Sequence, residues 1–519
     1  MHLQTGQAQQ RKSTMLMIAL MLLGTVLRVW RLGTHTLWLD EAFSLWLGRQ
    51  SIGPMLDWIQ GIDQHPPLYY LLLHTWVRIF GESELALRLL SAYLGILIIP
   101  VCYRLSRSLA GPRVAGWTAL LVTIAPFQVY FAQEVRIYTL LALLAGLALI
   151  SFVRILSGVR EGKVAWAWVG YVLFSAAALW THNTALFLPL AVNAIMLTLY
   201  LVRRWHEGGI SHITLPPPGR WVLAQCAILA AWAPWLPVMV RQSAAVYRHF
   251  WIPAPTLERV LGTLGVLWVG PVPLPAVWTV GVALVWAGLV GLGIARLRTR
   301  PTRLGIVLAL FLIPFGGELL VSLWRPIFYD RTLIWISLLL YILLGAGIAA
   351  LRRWRLAWLG ALLVVFISGR ALYEYHYHFE KEAWDAAAAL VTERAQPGDV
   401  ILFNAAWVQI PFDYYYQQYE DRLVAEHGLP VDLFERGELE PQMTVADLPR
   451  LRTLASTHER VWLVYSHAQF SDPHALIPDT LAGLFTTQTV WSFEGIKIYL
   501  YGNCSASIEM TGHIHRKID

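Results

Sequence analysis

Residues 138–157 read YTLLALLAGLALISFVRILS, twenty positions whose single charge, Arg154, stands near the end. About twenty apolar residues at a rise of about 1.5 Å cross a hydrocarbon layer about 30 Å thick. The stretch is therefore long enough for a transmembrane helix. Ten further runs qualify on the same ground: 14–30, 85–105, 113–131, 165–181, 183–202, 221–240, 276–295, 304–324, 332–351 and 356–373. The run 165–202 is divided at Thr181-His182-Asn183, because undivided it is far too long for one span. Residues 68–80 are apolar but too short, and read as an interfacial helix. The first run follows Arg11 and Lys12, as a signal peptide would, but no small-x-small cleavage site succeeds it and many spans follow.

Composition agrees with this class. The 519 residues are 57% hydrophobic and 14% charged, against about 25% charged in a soluble domain. Mean hydropathy is +0.52. The 25 tryptophans suit a chain with two membrane–water interfaces. A net charge of +7 raises nucleic acid as a partner. The basic residues instead stand in short clusters between apolar runs, which is the pattern of membrane topology and excludes that partner. With the N-terminus in the cytoplasm, every inner connection carries at least two: Arg11 and Lys12; Arg104, Arg107 and Arg113; Arg154, Arg160 and Lys163; Arg203, Arg204 and Arg220; Arg296, Arg298, Arg300 and Arg303; Arg352, Arg353 and Arg355. Cys102 and Cys226 lie in apolar runs and Cys504 in a polar tail, with no CxxC pair and no zinc spacing.

The predicted architecture is an α-helical polytopic membrane protein of about eleven transmembrane helices, residues 1–373, with a long first outer loop at 31–84. A C-terminal soluble α/β domain follows at 374–519. In that tail 380–396 has helical spacing, Pro397-Gly398-Asp399 reads as a turn, and 400–403, 460–465 and 488–501 read as strands. No phosphate-binding glycine loop or nucleophile elbow occurs there, so the tail is assigned no chemistry.

The chemistry candidates gather on the outer face. Asp40 and Glu41 stand together in Trp38-Leu39-Asp40-Glu41-Ala42-Phe43-Ser44. Adjacent acids among apolar neighbours are partly desolvated, which suits a general base or a cation ligand; the plain alternative is a helix cap. In Asp63-Gln64-His65-Pro66-Pro67-Leu68-Tyr69-Tyr70 the prolines end one element and open a helix, fixing His65 on the turn, where it serves the cavity or merely the interface. The short link Ala132-Gln133-Glu134-Val135-Arg136-Ile137, before Tyr138, wedges an acid and a base between two helix ends. Glu134 joins Asp40 around a cation and Arg136 clamps a phosphate, or the two form a structural pair. His182 marks another outer turn. Arg325 and Arg331, the latter in Tyr329-Asp330-Arg331, sit at outer helix ends against the positive-inside trend, and an anionic ligand explains them. Glu318 is an acid well inside a predicted span, a functional suspect whose role is left open.

Taken in order, these stretches resemble the GT-C superfamily of membrane glycosyltransferases. The nearest branch holds the protein O-mannosyltransferases, the lipid A aminoarabinose transferases and the Rgt-type bacterial transferases. The likeness is carried by Trp38-x-Asp40-Glu41-Ala42, His65-Pro66-Pro67-Leu68-Tyr69-Tyr70, Ala86-Leu87-Arg88-Leu89-Leu90-Ser91-Ala92, Gln133 to Tyr138, Thr181-His182-Asn183 and Tyr329-Asp330-Arg331-Thr332-Leu333. Lys381-Glu382-Ala383-Trp384 and Gly398-Asp399-Val400 continue it into the tail. It departs from the protein mannosyltransferases in lacking a long soluble insert between spans, and in Asn183 where an aromatic residue is expected.

The resemblance implies inverting transfer of a sugar from a polyprenyl-phosphate carrier to a lipid, glycan or protein acceptor. The reaction would occur at the extracytoplasmic face of a bacterial plasma (inner) membrane. Asp40 would be the base or a ligand of a divalent cation (Mg, Mn or Zn), Glu41 would support it, and Glu134 would complete the acidic site. Arg136 and Arg331 would hold the carrier phosphate. His65 and His182 would line the cavity, with Tyr138 and Tyr329 as further substrate contacts. A transporter or lipid-linked saccharide flippase is the rival. It is disfavoured because polar residues collect at one face rather than at the midplane. A ligase-type transferase is disfavoured by the early Asp-Glu loop and the tail.

Overall fold

The structure, a computed structural model, describes residues 2–61, 63, 65–158, 161–205, 213–246, 252, 254–272, 275–351, 354–416, 424–433, 435 and 441–503. Gln64, Arg160, Arg352, Arg353 and Cys504 of the sequence reading lie outside them. The chain divides into two compact units. One comprises Met1–Leu32 with Gln64–Phe379, the other Gly33–Asp63 with Glu380–Asp519.

The first unit is helical. Each of the eleven apolar runs is mainly helical, with 113–131 and 221–240 each divided between two α-helices. Among the described residues eight helices are long and apolar enough to cross a membrane, or nine when the bent pair Pro112–Ile124 and Pro126–Ala132 counts as one span. Two shorter apolar helices, Val164–Leu179 and Ser337–Ala350, take the other two runs. Leu68–Phe80 is a helix of 13 residues, too short to cross. The predicted outer stretch 241–275, rich in Pro, Trp and Arg, contains a helix at Leu257–Val269. Thr256 opens it by accepting the Arg259 N–H, and Gly270 closes it at φ +85°.

The 52° bend in the broken pair follows from Pro126. Proline has no N–H for the Val122 carbonyl four residues earlier, and lipid supplies no substitute. Arg28 supplies it: Nη2 donates to Val122 O at 3.1 Å and Nη1 to Thr123 O at 3.1 Å. Arg28 is fully buried. Glycines leave it room, since a Cβ at Gly95 would stand 3.1 Å from Arg28 Nε and 2.7 Å from Ala132 Cβ. Gln133 Nε2 then donates to Arg28 O at 3.0 Å and Trp30 O at 2.9 Å, tying the next link to the first helix. Elsewhere Gly293 and Gly347 let Ala276–Leu297 and Ser337–Ala350 pack backbone to backbone: a Cβ at either would collide with a carbonyl of the other helix.

The second unit is built on a five-stranded sheet in the order β2-β1-β3-β5-β4, where β1 is Val400–Asn404, β2 Ala425–Gly428, β3 Arg460–Tyr465, β4 Thr487–Phe493 and β5 Ile496–Gly502. Strands β2, β1 and β3 are parallel, with Val400 paired to both Ala425 and Val461. The β4–β5 hairpin is antiparallel and turns at Gly495, φ +72°. The unbroken apolar run of β1 is buried on both faces, as a central parallel strand requires. Helix Trp384–Arg394 falls within the 380–396 expectation. Residues 33–63 belong to this unit and carry helices Leu39–Arg49 and Ile52–Gly61. Hydrogen bonds join this segment to the tail: Thr36 Oγ1 donates to Glu382 O at 2.5 Å, Leu39 N to Glu382 Oε2 at 3.0 Å, and Leu37 N to the Tyr415 hydroxyl at 2.7 Å.

Candidate functional site

In the first unit six predicted residues come together from four separate turns. Leu68 N donates to Trp180 O at 3.0 Å, which sets the start of the Leu68–Phe80 helix against the end of Glu161–Leu179. That bond brings His65 and His182 into edge-to-face contact, centroids 5.3 Å apart. The Tyr138 ring lies 6.2 Å from His182. Two guanidinium groups stand near Tyr138, Arg136 at 5.8 Å and Arg331 at 5.5 Å from its centroid. Arg331 also lies 4.9 Å from the centroid of Tyr329.

Each turn is rigid for a local reason. The 133–137 link is held by Gln133 at its start, and Thr139 Oγ1 donates to Phe131 O at 2.8 Å just beyond it. Glu134, Arg136 and Tyr138 are all buried. At the 181–186 turn, Trp235 Nε1 donates to Asn183 Oδ1 at 3.2 Å. At the 329–333 turn, Asp330 Oδ1 accepts the Arg331 N–H at 2.9 Å. The approach to that turn is fixed by Ser322 Oγ, which accepts the N–H groups of Ile327 at 3.0 Å and Phe328 at 2.7 Å.

Two guanidinium groups share this cluster with a histidine whose surroundings hold it uncharged. His182 Nδ1 accepts the Thr184 backbone N–H at 3.1 Å, so its neutral form carries the proton on Nε2. Burial pushes the His182 pKa well below its ordinary value, and His65, Arg331 and Arg136 push the same way. Burial raises the Asp330 carboxyl, opposed by its hydrogen bond from the Arg331 N–H and by the Arg331 and Arg259 charges. Burial, then Asp330, raises the Tyr329 phenol.

One residue of this cluster was not among the sequence candidates. Arg259 sits 5.0 Å from the Tyr329 centroid, on the opening turn of Leu257–Val269. The signals that could have found it were present: a Thr256 cap, Glu258 in the first turn and a Gly270 stop.

Asp40 and Glu41 belong to the second unit, in the first turn of Leu39–Arg49. Asp40 is half-buried and its carbonyl accepts the Ser44 hydroxyl at 2.8 Å. Glu41 is fully buried and its Oε2 accepts from Lys381 Nζ at 2.9 Å. Glu382 completes the anchor, accepting from Leu39 N at 3.0 Å and Trp384 Nε1 at 2.7 Å. Lys381 and Glu382 thus hold the acidic turn from the tail's entry. Among the described residues no three His, Cys, Asp or Glu side chains converge so as to hold a metal ion.

Comparison with known proteins follows the same lines. A family model, Dolichyl-phosphate-mannose-protein mannosyltransferase, matches residues 64–235. A search of curated protein sequences found no match. Among solved structures, the chain resembles ArnT from Cupriavidus metallidurans in the apo state, at TM-score 0.63 and 15% identity, over 95% of this chain and 98% of that one. The same protein bound to undecaprenyl phosphate aligns at TM-score 0.62, again at 15% identity over 95% and 98%. The oligosaccharyltransferase of Archaeoglobus fulgidus, in complex with Zn and sulfate, aligns at TM-score 0.53 and 12% identity, over 93% of this chain and 72% of that one. These likenesses show the fold.

Proposed function

We propose that this chain, which has the GT-C membrane glycosyltransferase fold, transfers a sugar from a polyprenyl-phosphate carrier to an acceptor hydroxyl at the extracytoplasmic face of a bacterial plasma membrane. The observation that carries the reading is the convergence of Arg136 and Arg331 on Tyr138, beside a histidine kept neutral. Arg136 is buried and Arg331 half-buried, and a phosphate offers the bidentate acceptor geometry that guanidinium groups match. The fold relative bound to undecaprenyl phosphate supports a lipid phosphate as that anion. The family model supports a polyprenyl-linked sugar as the donor.

The transfer is a single displacement with inversion. The acceptor oxygen bonds to the anomeric carbon while the carbon–oxygen bond to the carrier phosphate breaks. The phosphate leaves with the bonding pair, and the acceptor proton passes to a carboxylate, the role that the sequence resemblance gives Asp40. Arg136, Arg331 and Arg259 stabilise the charge that grows on the phosphate, and His182 Nε2–H adds a donor without adding charge. Tyr138 and Tyr329 orient the guanidinium planes through their rings, and His65 packs the cavity wall against His182. Glu41, held by Lys381, keeps the Asp40 turn in place. A divalent cation at Asp40 and Glu134 is an expectation of the sequence, and the archaeal relative was solved with Zn. The described residues present no three-ligand cluster, so no step is routed through a metal.

The test is transfer of label from a panel of radiolabelled polyprenyl-phosphate sugars in membranes containing crude acceptor, comparing wild type with Asp40→Asn. Transfer by the wild type that disappears in an inserted, accumulating variant establishes the class and the base. Transfer that survives moves the base to another carboxylate. No consumption of any donor by the wild type would turn the reading toward lipid transport.

A further inference from the structure

Glu318 lies in the apolar helix Pro301–Val321 and is fully buried, yet the transfer just described gives it nothing to do. Acids inside membrane helices are rare and are retained for function. Its surroundings indicate what it holds. Thr332 Oγ1 donates to Glu318 Oε2 at 2.6 Å, the short distance of a hydroxyl bonded to a carboxylate. The other carboxyl oxygen, Oε1, is buried without a hydrogen-bond partner among the described residues. Thr332 directly follows Arg331, and Thr184 is the residue whose N–H engages His182 Nδ1. The Thr184 hydroxyl lies 2.9 Å from that same nitrogen.

The backbone is shaped to allow this. Gly317 precedes Glu318, and a Cβ there would stand 2.7 Å from Phe187 Cδ1, the first residue after the 183–186 turn. A side chain at 317 would push the helix off the turn that Thr184 occupies. The far turn is fixed independently, since the Tyr329 carbonyl accepts the Thr332 N–H at 3.2 Å.

We propose that Glu318 is a positioning residue: its carboxyl group, gripped by Thr332, ties the turn that presents Arg331 to the helix that Gly317 packs against the turn presenting His182, and so sets how both meet the lipid phosphate. This rests on the reading of the cluster as a phosphate site. It adds that the spacing of histidine and guanidinium is set from within the membrane rather than by either loop. Glu318 itself touches neither sugar nor phosphate.

The experiment measures equilibrium binding of undecaprenyl phosphate to the full-length protein in detergent, a ligand that requires no sugar or acceptor to be identified. Wild type, Glu318→Gln, Glu318→Leu, Thr332→Val and the double variant Arg331→Ala/Glu318→Leu are compared at matched thermal stability. Wild type should bind. Glu318→Gln, which keeps one acceptor oxygen, should stay within about threefold, and Glu318→Leu should lose about tenfold or more, the scale of losing a group that orients a ligand-binding side chain. In the Arg331→Ala background, Glu318→Leu should weaken binding much less than it does alone, because the group it positions is gone. A merely structural anchor would lower stability equally in both backgrounds and leave affinity unchanged. If Glu318→Leu does not fold, Thr332→Val decides: several-fold weaker binding supports the proposal, unchanged binding overturns it. Failure of the wild type to bind undecaprenyl phosphate would instead overturn the phosphate-site reading, and the two failures are distinct.

Discussion

Lys381 Nζ stands 2.9 Å from Glu41 Oε2, with the two side chains 3% and 0% exposed. The pair joins the first loop to the entry of the tail, 340 residues away in sequence. Removing one partner strands the other charge in a low-dielectric site, at a cost of about 3–5 kcal/mol. Lys381→Met should therefore destabilise the second unit by roughly that amount and release the Asp40 turn. Glu41→Gln combined with Lys381→Met should recover most of the loss. Limited proteolysis of the tail and thermal unfolding measure both. Equal stability of the single and double variants would show that the pair does not anchor the loop.

The phosphate reading makes a sharper claim on the arginines. Arg136→Lys and Arg331→Lys keep the charge but lose the planar fork and the ring contact with Tyr138. Each should weaken undecaprenyl phosphate binding by about 10- to 100-fold, which is about 1.4–2.8 kcal/mol. Arg259→Ala, farther along the same ring cluster at Tyr329, should cost less. The Arg259→Ala loss should shrink at high salt, because a half-buried charge is screened, whereas the two lysine losses, which keep the charge, should persist. Isothermal titration across salt concentrations reads the effect. Lysine variants that bind as well as wild type would leave the guanidinium geometry without a role.

Much of this arrangement was legible in the sequence, because a bilayer constrains a chain strongly. A segment must be about twenty residues long and apolar to cross, so residues 138–157 and the other runs announce themselves, and each is mainly helical. Four of the six clustered residues were legible locally: His65 stands on a turn fixed by prolines, Arg136 and His182 occupy links too short to move, and Tyr138 opens the helix that follows one of them. What was not legible depends on distance in sequence. Nothing local in residues 33–63 says that they pack with residues beyond 380, since that rests on Lys381 and Glu382 meeting Glu41 and Leu39. Arg259 was hidden because Leu257–Val269 is short and sits in a predicted outer loop rich in Pro, Trp and Arg. Glu318 was visible as an oddity. Its purpose was not, because its hydroxyl partner, Thr332, comes from another element.

Arg28 tests the membrane side of the fold. Its guanidinium replaces the donor that Pro126 cannot provide, and lipid offers the Val122 and Thr123 carbonyls no other partner. Arg28→Leu keeps the side chain apolar and of similar reach but leaves two buried carbonyls unsatisfied, at about 1–3 kcal/mol each. Pairing Arg28→Leu with Pro126→Ala restores a backbone donor and should recover part of the loss. The measurement is thermal stability of the detergent-solubilised protein. An Arg28→Leu protein as stable as wild type would mean that the bend does not depend on the arginine.

The last expectation concerns pH and follows from His182. The unfolded chain presents this imidazole at about pKa 6.5, and burial with His65, Arg331 and Arg136 holds the folded value well below that. Above about pH 6.5 the ring is neutral in both states and contributes no pH dependence. As pH falls below that point, the unfolded chain binds a proton that the folded chain refuses. Stability is then lost progressively down to the lowered folded pKa, with a slope of at most about 1.4 kcal/mol per pH unit from this group. His182→Gln removes the titrating ring, so the stability difference between wild type and variant should be flat from pH 8 to 6.5 and should shift against the wild type toward pH 5. Affinity for undecaprenyl phosphate should behave differently. Between pH 6.5 and 8 its pH slope should be the same in wild type and His182→Gln, even if the variant binds more weakly, because a neutral Nε2–H donor has no proton to lose or gain there. An inflection near pH 6.5 in wild-type affinity that vanishes in His182→Gln would mean that the histidine meets the phosphate as a cation, and the tautomer set by Thr184 would not be the one that binds.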